Sequence, residues 1–295
     1  MAGFDVPPAN LLTYVRAGLA AVSTLLVGAA VVCFVASNWS EMGRPLQFGL
    51  LEAMVLLPCL GAAFIPKGRV PLALFAFLAI GALFAYFGQT YQTGADPWQL
   101  FALWSALGLP LVATVRSETI RVAWIAIAMT GLALWTSGAG ALLHEALELE
   151  CVLGSAAALL LALSLSRPFQ RYTGAGSYAS SVAIVCALGL ASANAWAGIN
   201  SNGSAWTSTI LIGLIVMVAT FYARSHFLDI LALCACALSL NFLIDTVIVC
   251  WMLKASNFDI AALLIIGVAA TGLCGISISA IFAIMRQHLS GKGAQ

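Results

Sequence analysis

Long apolar runs separated by short polar stretches follow one another along almost the whole chain. Ten can be drawn: Ala17–Ala36, Leu46–Ile65, Val70–Gln89, Trp98–Val115, Val122–Ser137, Leu147–Ser166, Tyr178–Ile199, Thr207–Ala223, Phe227–Leu253 and Ile260–Met285. Most approach the ~20 residues that an α-helix needs to cross ~30 Å of hydrocarbon. Val122–Ser137 and Thr207–Ala223 are the shortest. The pattern predicts an all-α fold, a polytopic bundle of about ten transmembrane helices forming one transmembrane domain over residues 1–295. The first run exceeds the ~7–15 apolar residues of a cleavable signal peptide and is expected to stay as the first span.

Within three runs, small residues recur at every fourth position. These are Gly154, Ala158, Ala162 and Ser166; Ala179, Ala183, Ala187, Ala191 and Ala195; and Gly267, Thr271, Gly275 and Ser279. That spacing gathers each set on one helix face, where two backbones can approach closely, so all three are expected to be helix–helix seams. Pro58 and Pro110 fall inside runs and would each free a backbone carbonyl.

Lysine and arginine give the bundle a direction, because they are retained on the cytoplasmic side. With both termini inside, the inner segments hold Arg16, Lys67, Arg69, Arg116, Arg121, Arg167, Arg171, Arg224, Arg286 and Lys292. Only Arg44 and Lys254 remain outside. Tryptophan agrees: Trp39, Trp98, Trp135, Trp196, Trp206 and Trp251 fall at outer ends, where an indole is half buried and its N–H reaches water. The expected topology is a membrane crossed many times, with N-in and C-in.

Composition strengthens this picture and excludes others. The 295 residues are 62% hydrophobic and 8% charged, with mean hydropathy +1.04, against roughly 25% charged in a soluble domain. The lipid bilayer is the implied surrounding. The net charge of +1 argues against nucleic acid, which needs a basic patch. Eight cysteines lie in or beside apolar runs and read as small hydrophobes. Cys234 and Cys236 are two apart and point in different directions on a helix. The outer segments are acidic (Glu41, Asp96, Glu145, Glu148, Glu150, Asp259), which would concentrate cations there. Asp229, near the inner end of its run, is expected to pair with Arg224 or reach the interface.

Two carboxylates lie inside runs. Glu52 stands six residues into the second, and Asp245 six before Trp251, each about 9 Å from the outer boundary at 1.5 Å per residue. A charge at such depth costs at least ~2.5 kcal/mol on insertion scales and marks a bundle interior or a wet cleft. Asn241 shares a helix face with Asp245, and Asn194, Gln89 and Asn38 also fall toward the outer side. Together Glu52, Asp245, Asn241, Gln89, Asn194 and Asn38 outline an outward polar cleft for a small solute or cation. The alternative is a set of interhelical hydrogen bonds. His144, Glu145 and Glu148 make a partial metal pattern, H-E-x-x-E, without the second histidine of H-E-x-x-H. An amphipathic interfacial turn explains the same residues. No nucleophile–base constellation and no cofactor motif stands out.

The stretch FGQTYQTGADPWQLFALWSALGLPLVATVR, Phe87–Arg116, together with Ala36–Trp39, resembles a family of predicted prokaryotic integral membrane proteins of unknown function. Shared are the Asn-Trp step after the first span, a Gln-x-Tyr-x-x-x-Gly-Asp-like loop and a Leu-Phe-x-Leu-Trp helix. Here an Ala separates Gly94 from Asp96. The resemblance implies a multi-pass bundle in a prokaryotic inner membrane and brings no activity, substrate or cofactor. The helix count and topology are similar to the drug/metabolite transporter superfamily in architecture alone, and a five-plus-five division near residues 138–146 would make inverted halves. Three functions remain open: a transporter or channel-like protein for a small, cationic solute; a non-catalytic assembly or sensor subunit; and an intramembrane enzyme acting on a lipid or envelope substrate.

Overall fold

The computed structural model describes residues 15, 19, 26, 33, 37–92, 94–138, 144–200, 206–224, 229–255 and 260–292. Among these are nine long helices and no strand: α1 (Arg44–Phe64), α2 (Arg69–Tyr91), α3 (Pro97–Val115), α4 (Glu118–Gly138), α5 (His144–Ser164), α6 (Ser177–Asn200), α7 (Trp206–Arg224), α8 (Ile230–Ala255) and α9 (Ile260–Lys292). Seven of them, α1 to α4, α6, α8 and α9, are long and apolar enough to cross a membrane, and the shorter apolar helix Thr207–Ala223 lies within α7. The expected first span lies largely outside the described residues.

The chain divides into two compact units, Met1–Met54 and Val55–Gln295. The boundary falls inside α1, beside the carbonyl of Met54 that Pro58 leaves without its helical N–H partner. In the first unit a 3₁₀ turn, Trp39–Glu41, precedes α1. Gln47 is buried and ties the two together, its Nε2 donating to the Trp39 carbonyl at 2.6 Å.

In the second unit α6 is the central helix and packs against α4, α5, α7 and α8. Its alanine stripe is the reason. Ala179, Ala183, Ala187, Ala191 and Ala195 are all fully buried, and side chains this small let neighbouring backbones close in. The α5 stripe behaves the same way: Ala158, Ala162 and Ser166 are buried, and a Cβ on Gly154 would run into Thr136 Cγ2 of α4. The third stripe departs from expectation. Gly267, Thr271, Gly275 and Ser279 are exposed on α9, no residue of the Leu264–Gln287 stretch is buried, and the main packing partner of α9 is α8. Small spacing permits a close neighbour without supplying one.

Side-chain contacts sort the helix ends of this unit into two sets. At one end Trp98 of α3 meets Trp135 of α4, ring centroids 6.2 Å apart, and Cys151 of α5 bonds the Thr136 carbonyl. Thr207 of α7 bonds Glu148 of α5, and Cys250 of α8 bonds Asn200 of α6. At the other end Arg121 reaches the loop before α6, and Tyr222 of α7 bonds Ser166. Helices α3 to α8 therefore alternate in direction, with a tryptophan end and a basic end.

Loop chemistry fits these reversals. Gln92 (φ 43°) and Gly94 (φ 64°) take left-handed conformations between α2 and α3, and Pro97 opens α3 where no N–H is needed. Asp229 caps α8, its Oδ1 accepting the Ala232 N–H at 3.2 Å; the side chain of Arg224, its expected partner, lies outside what is described.

Candidate functional site

The strongest candidate site is a cleft of about 280 Å³ at the tryptophan end, where α6 and α8 run out of the bundle. Two helical stripes form it. Trp196 and Asn200 are one turn apart on α6, and Phe242, Asp245, Thr246, Val249 and Cys250 follow at three- and four-residue steps on α8. The polar groups of the lining are mostly spoken for. Asn200 Nδ2 donates to the Trp196 carbonyl at 3.0 Å, the Cys250 thiol donates to Asn200 Oδ1 at 3.4 Å, and Thr246 Oγ1 donates to the Phe242 carbonyl at 2.8 Å. Asp245 is different. Its Oδ1 is buried and has no hydrogen-bond partner among the described residues. A buried carboxylate oxygen without a donor is costly and calls for a counter-charge or a proton.

The other sequence-predicted residues sit as follows. Asn241, one turn from Asp245, turns to α9, accepting from Ser277 Oγ at 3.0 Å and donating to Cys274 Sγ at 3.9 Å. Asn194 donates to Ser155 Oγ at 2.9 Å and to the Cys151 carbonyl at 3.5 Å, joining α6 to α5. Both amides thus make interhelical bonds. Gln89 is exposed near the end of α2, and Glu52 is exposed on α1 in the first unit. Asn38, also in the first unit, donates to Ser37 Oγ at 3.2 Å.

Of the partial metal pattern, the side chains of His144 and Glu145 lie outside what is described, and Glu148 Oε2 accepts from Thr207 Oγ1 at 3.0 Å. Among the described residues no three His, Cys, Asp or Glu gather as a metal site. Cys236 is buried while Cys234 is exposed, as their two-residue spacing requires.

Sequence reasoning missed several partners. Asn200, Thr246 and Cys250 accompany Asp245 in the cleft; their spacing from Trp196 and Asp245 was the available signal. The two tryptophans outside the outer belt, Trp104 and Trp124, prove to be cross-helix donors. Trp104 Nε1 bonds the Phe77 carbonyl at 2.7 Å, and Trp124 Nε1 bonds the Ser105 carbonyl at 2.7 Å. The Trp of the Leu-Phe-x-Leu-Trp segment is therefore a lock between α3 and α2.

At the basic end, Arg121 is only 3% exposed and donates to the carbonyls of Gly174 (2.6 Å) and Thr173 (3.1 Å). Glu118 packs against Gly176, its carboxylate occupying the space where a Cβ of residue 176 would lie. This anchoring explains why α4 begins four residues before the apolar run Val122–Ser137.

Residues 8–121 match the model of a family described as Predicted membrane protein (DUF2157). The match includes both segments on which the sequence resemblance rests, Ala36–Trp39 and Phe87–Arg116, and ends at Arg121. It brings no established function, and the Asp245 cleft lies outside it. No curated protein and no solved structure significantly matches the chain.

Proposed function

We propose, for a chain whose residues 8–121 are those of a predicted membrane-protein family, that it binds and moves a small cation, with Asp245 as the charged ligand. The observation that carries this reading is the carboxylate of Asp245, which lines the cleft and whose buried Oδ1 has no hydrogen-bond partner among the described residues. A cation supplies what that oxygen lacks, and a side chain kept at such cost inside an apolar helix is by default a functional one. With the basic end on the cytoplasmic side of a prokaryotic inner membrane, the cleft opens outward among acidic segments that raise the local cation concentration. Glu52 is the second carboxylate of the reading and is assigned a coupling ion.

The test is cation flux in proteoliposomes containing the purified chain alone. Wild type is expected to carry flux, and Asp245→Asn to lose it while keeping the same helicity and elution volume. Equal flux in both removes the carboxylate mechanism. A second reading, a membrane assembly subunit, is favoured by one observation: α9 buries none of its Leu264–Gln287 stretch. It predicts a stable membrane partner on purification and no flux from the chain alone.

A further inference from the structure

The lining of the Asp245 cleft narrows the guest further. We infer that the site takes an organic monocation of the alkylammonium class in preference to a metal ion; this rests on the reading of Asp245 as a cation ligand. Charge is the first argument. Among the described residues, Asp245 is the one charged side chain of the lining, so a single positive charge balances it and a divalent ion leaves an excess in a poorly solvated place.

Oxygen count is the second. Calcium takes six to eight oxygen ligands and magnesium a near-ideal octahedron. Beyond the Asp245 carboxylate, the side-chain oxygens that the described residues bring to the lining are those of Asn200 and Thr246. Asn200 Oδ1 accepts the Cys250 thiol and the Thr246 hydroxyl donates to the Phe242 carbonyl, so these two add at most two oxygens to the carboxylate's pair. A metal ion that shed its water would find too few replacements.

The third argument is what the cleft offers instead. Trp196 and Phe242 line it and remain 48% and 47% exposed, so ring surface is accessible beside the carboxylate. Aromatic rings attract ammonium groups through their quadrupole, and quaternary ammonium recognition uses this arrangement of ring and charge. Val249 adds apolar surface for methyl groups. The volume of about 280 Å³ corresponds to roughly nine water-sized groups at ~30 Å³ each, far more than a bare metal ion fills and suitable for a small alkylated amine.

The test is equilibrium binding of labelled tetramethylammonium and labelled sodium to the full chain in nanodiscs, with each ion also competing against the other. Wild type is expected to bind tetramethylammonium at a concentration at least roughly tenfold lower than sodium, since a desolvated ring–cation contact contributes about that factor. Trp196→Ala should weaken tetramethylammonium by a similar factor and leave sodium unchanged, with Trp196→Phe intermediate. The wild-type comparison decides even if Trp196→Ala fails to fold. Bound tetramethylammonium should also slow alkylation of Cys250, read by peptide mass mapping, which fixes the site. Sodium binding that depends on Asp245, with tetramethylammonium equal or weaker, overturns the alkylammonium inference and keeps the cation reading. Binding of neither ion in an Asp245-dependent way overturns both.

Discussion

Gly81→Ala should destabilise the bundle strongly, and Trp104→Ala should erase that effect. A Cβ on residue 81 would overlap the Trp104 ring at its Cη2, Cζ2 and Cε2 atoms. The ring cannot yield cheaply. Its Nε1 is held by the Phe77 carbonyl at 2.7 Å, and Phe77 and Phe101 flank it at centroid distances of 5.6 and 5.9 Å. Overpacking of this kind costs ~1–3 kcal/mol, and losing the indole bond adds about 1 kcal/mol. The expected cost of Gly81→Ala is therefore ~2–4 kcal/mol. In a Trp104→Ala background the methyl enters vacated space, and its cost should drop below ~0.5 kcal/mol, a coupling of ~1.5 kcal/mol or more. Reversible unfolding in mixed detergent micelles, followed by helical circular dichroism, measures all four corners. A cost of Gly81→Ala that is the same with and without the indole would refute the lock.

Further outcomes follow from other contacts. Arg121→Ala should cost ~3 kcal/mol or more in the same titration, because two charge-assisted bonds are worth ~1.5–3 kcal/mol each; Arg121→Lys, whose point charge cannot span both carbonyls, should fall between, and a wild-type midpoint for Arg121→Ala would contradict the anchoring. Gly275→Leu and Gly267→Leu on α9 meet no described atom within 4 Å of the added Cβ, so stability of the isolated chain should be unchanged; clear destabilisation would mean that something packs there. For sidedness, Ala95→Cys is expected to react with an impermeant thiol reagent on intact cells and Thr119→Cys only after lysis, in a background lacking the native cysteines. The opposite pattern would reverse the orientation inferred from the basic residues.

The elements were legible because lipid forces each span to be long, apolar and internally hydrogen-bonded. The alanine stripe of α6 was also legible as a seam, since five buried alanines four apart leave one face for close contact. The equally regular stripe of α9 shows the limit, because pattern reports what a helix can accept and not which neighbour arrives. Arg121 read as a loop charge that sets topology. Its burial depends on the carbonyls of Thr173 and Gly174, more than 50 residues away along the chain, and no local pattern encodes them. Trp104 and Trp124 stood out only as exceptions to the outer belt, with acceptors that tertiary contact alone reveals. At the candidate site, depth and charge singled out Asp245, while its companions on α6 depended on which helix lies beside α8. Asn241 and Asn194 were legible as amides inside apolar runs, but their partners on α9 and α5 were not.

If Asp245 holds a cation, equilibrium dialysis of labelled monovalent cations against the full chain and against Asp245→Asn will show it. One saturable site per chain in wild type, absent from a folded Asp245→Asn variant, is the predicted result. Identical binding in the two proteins, or none in either, would contradict it.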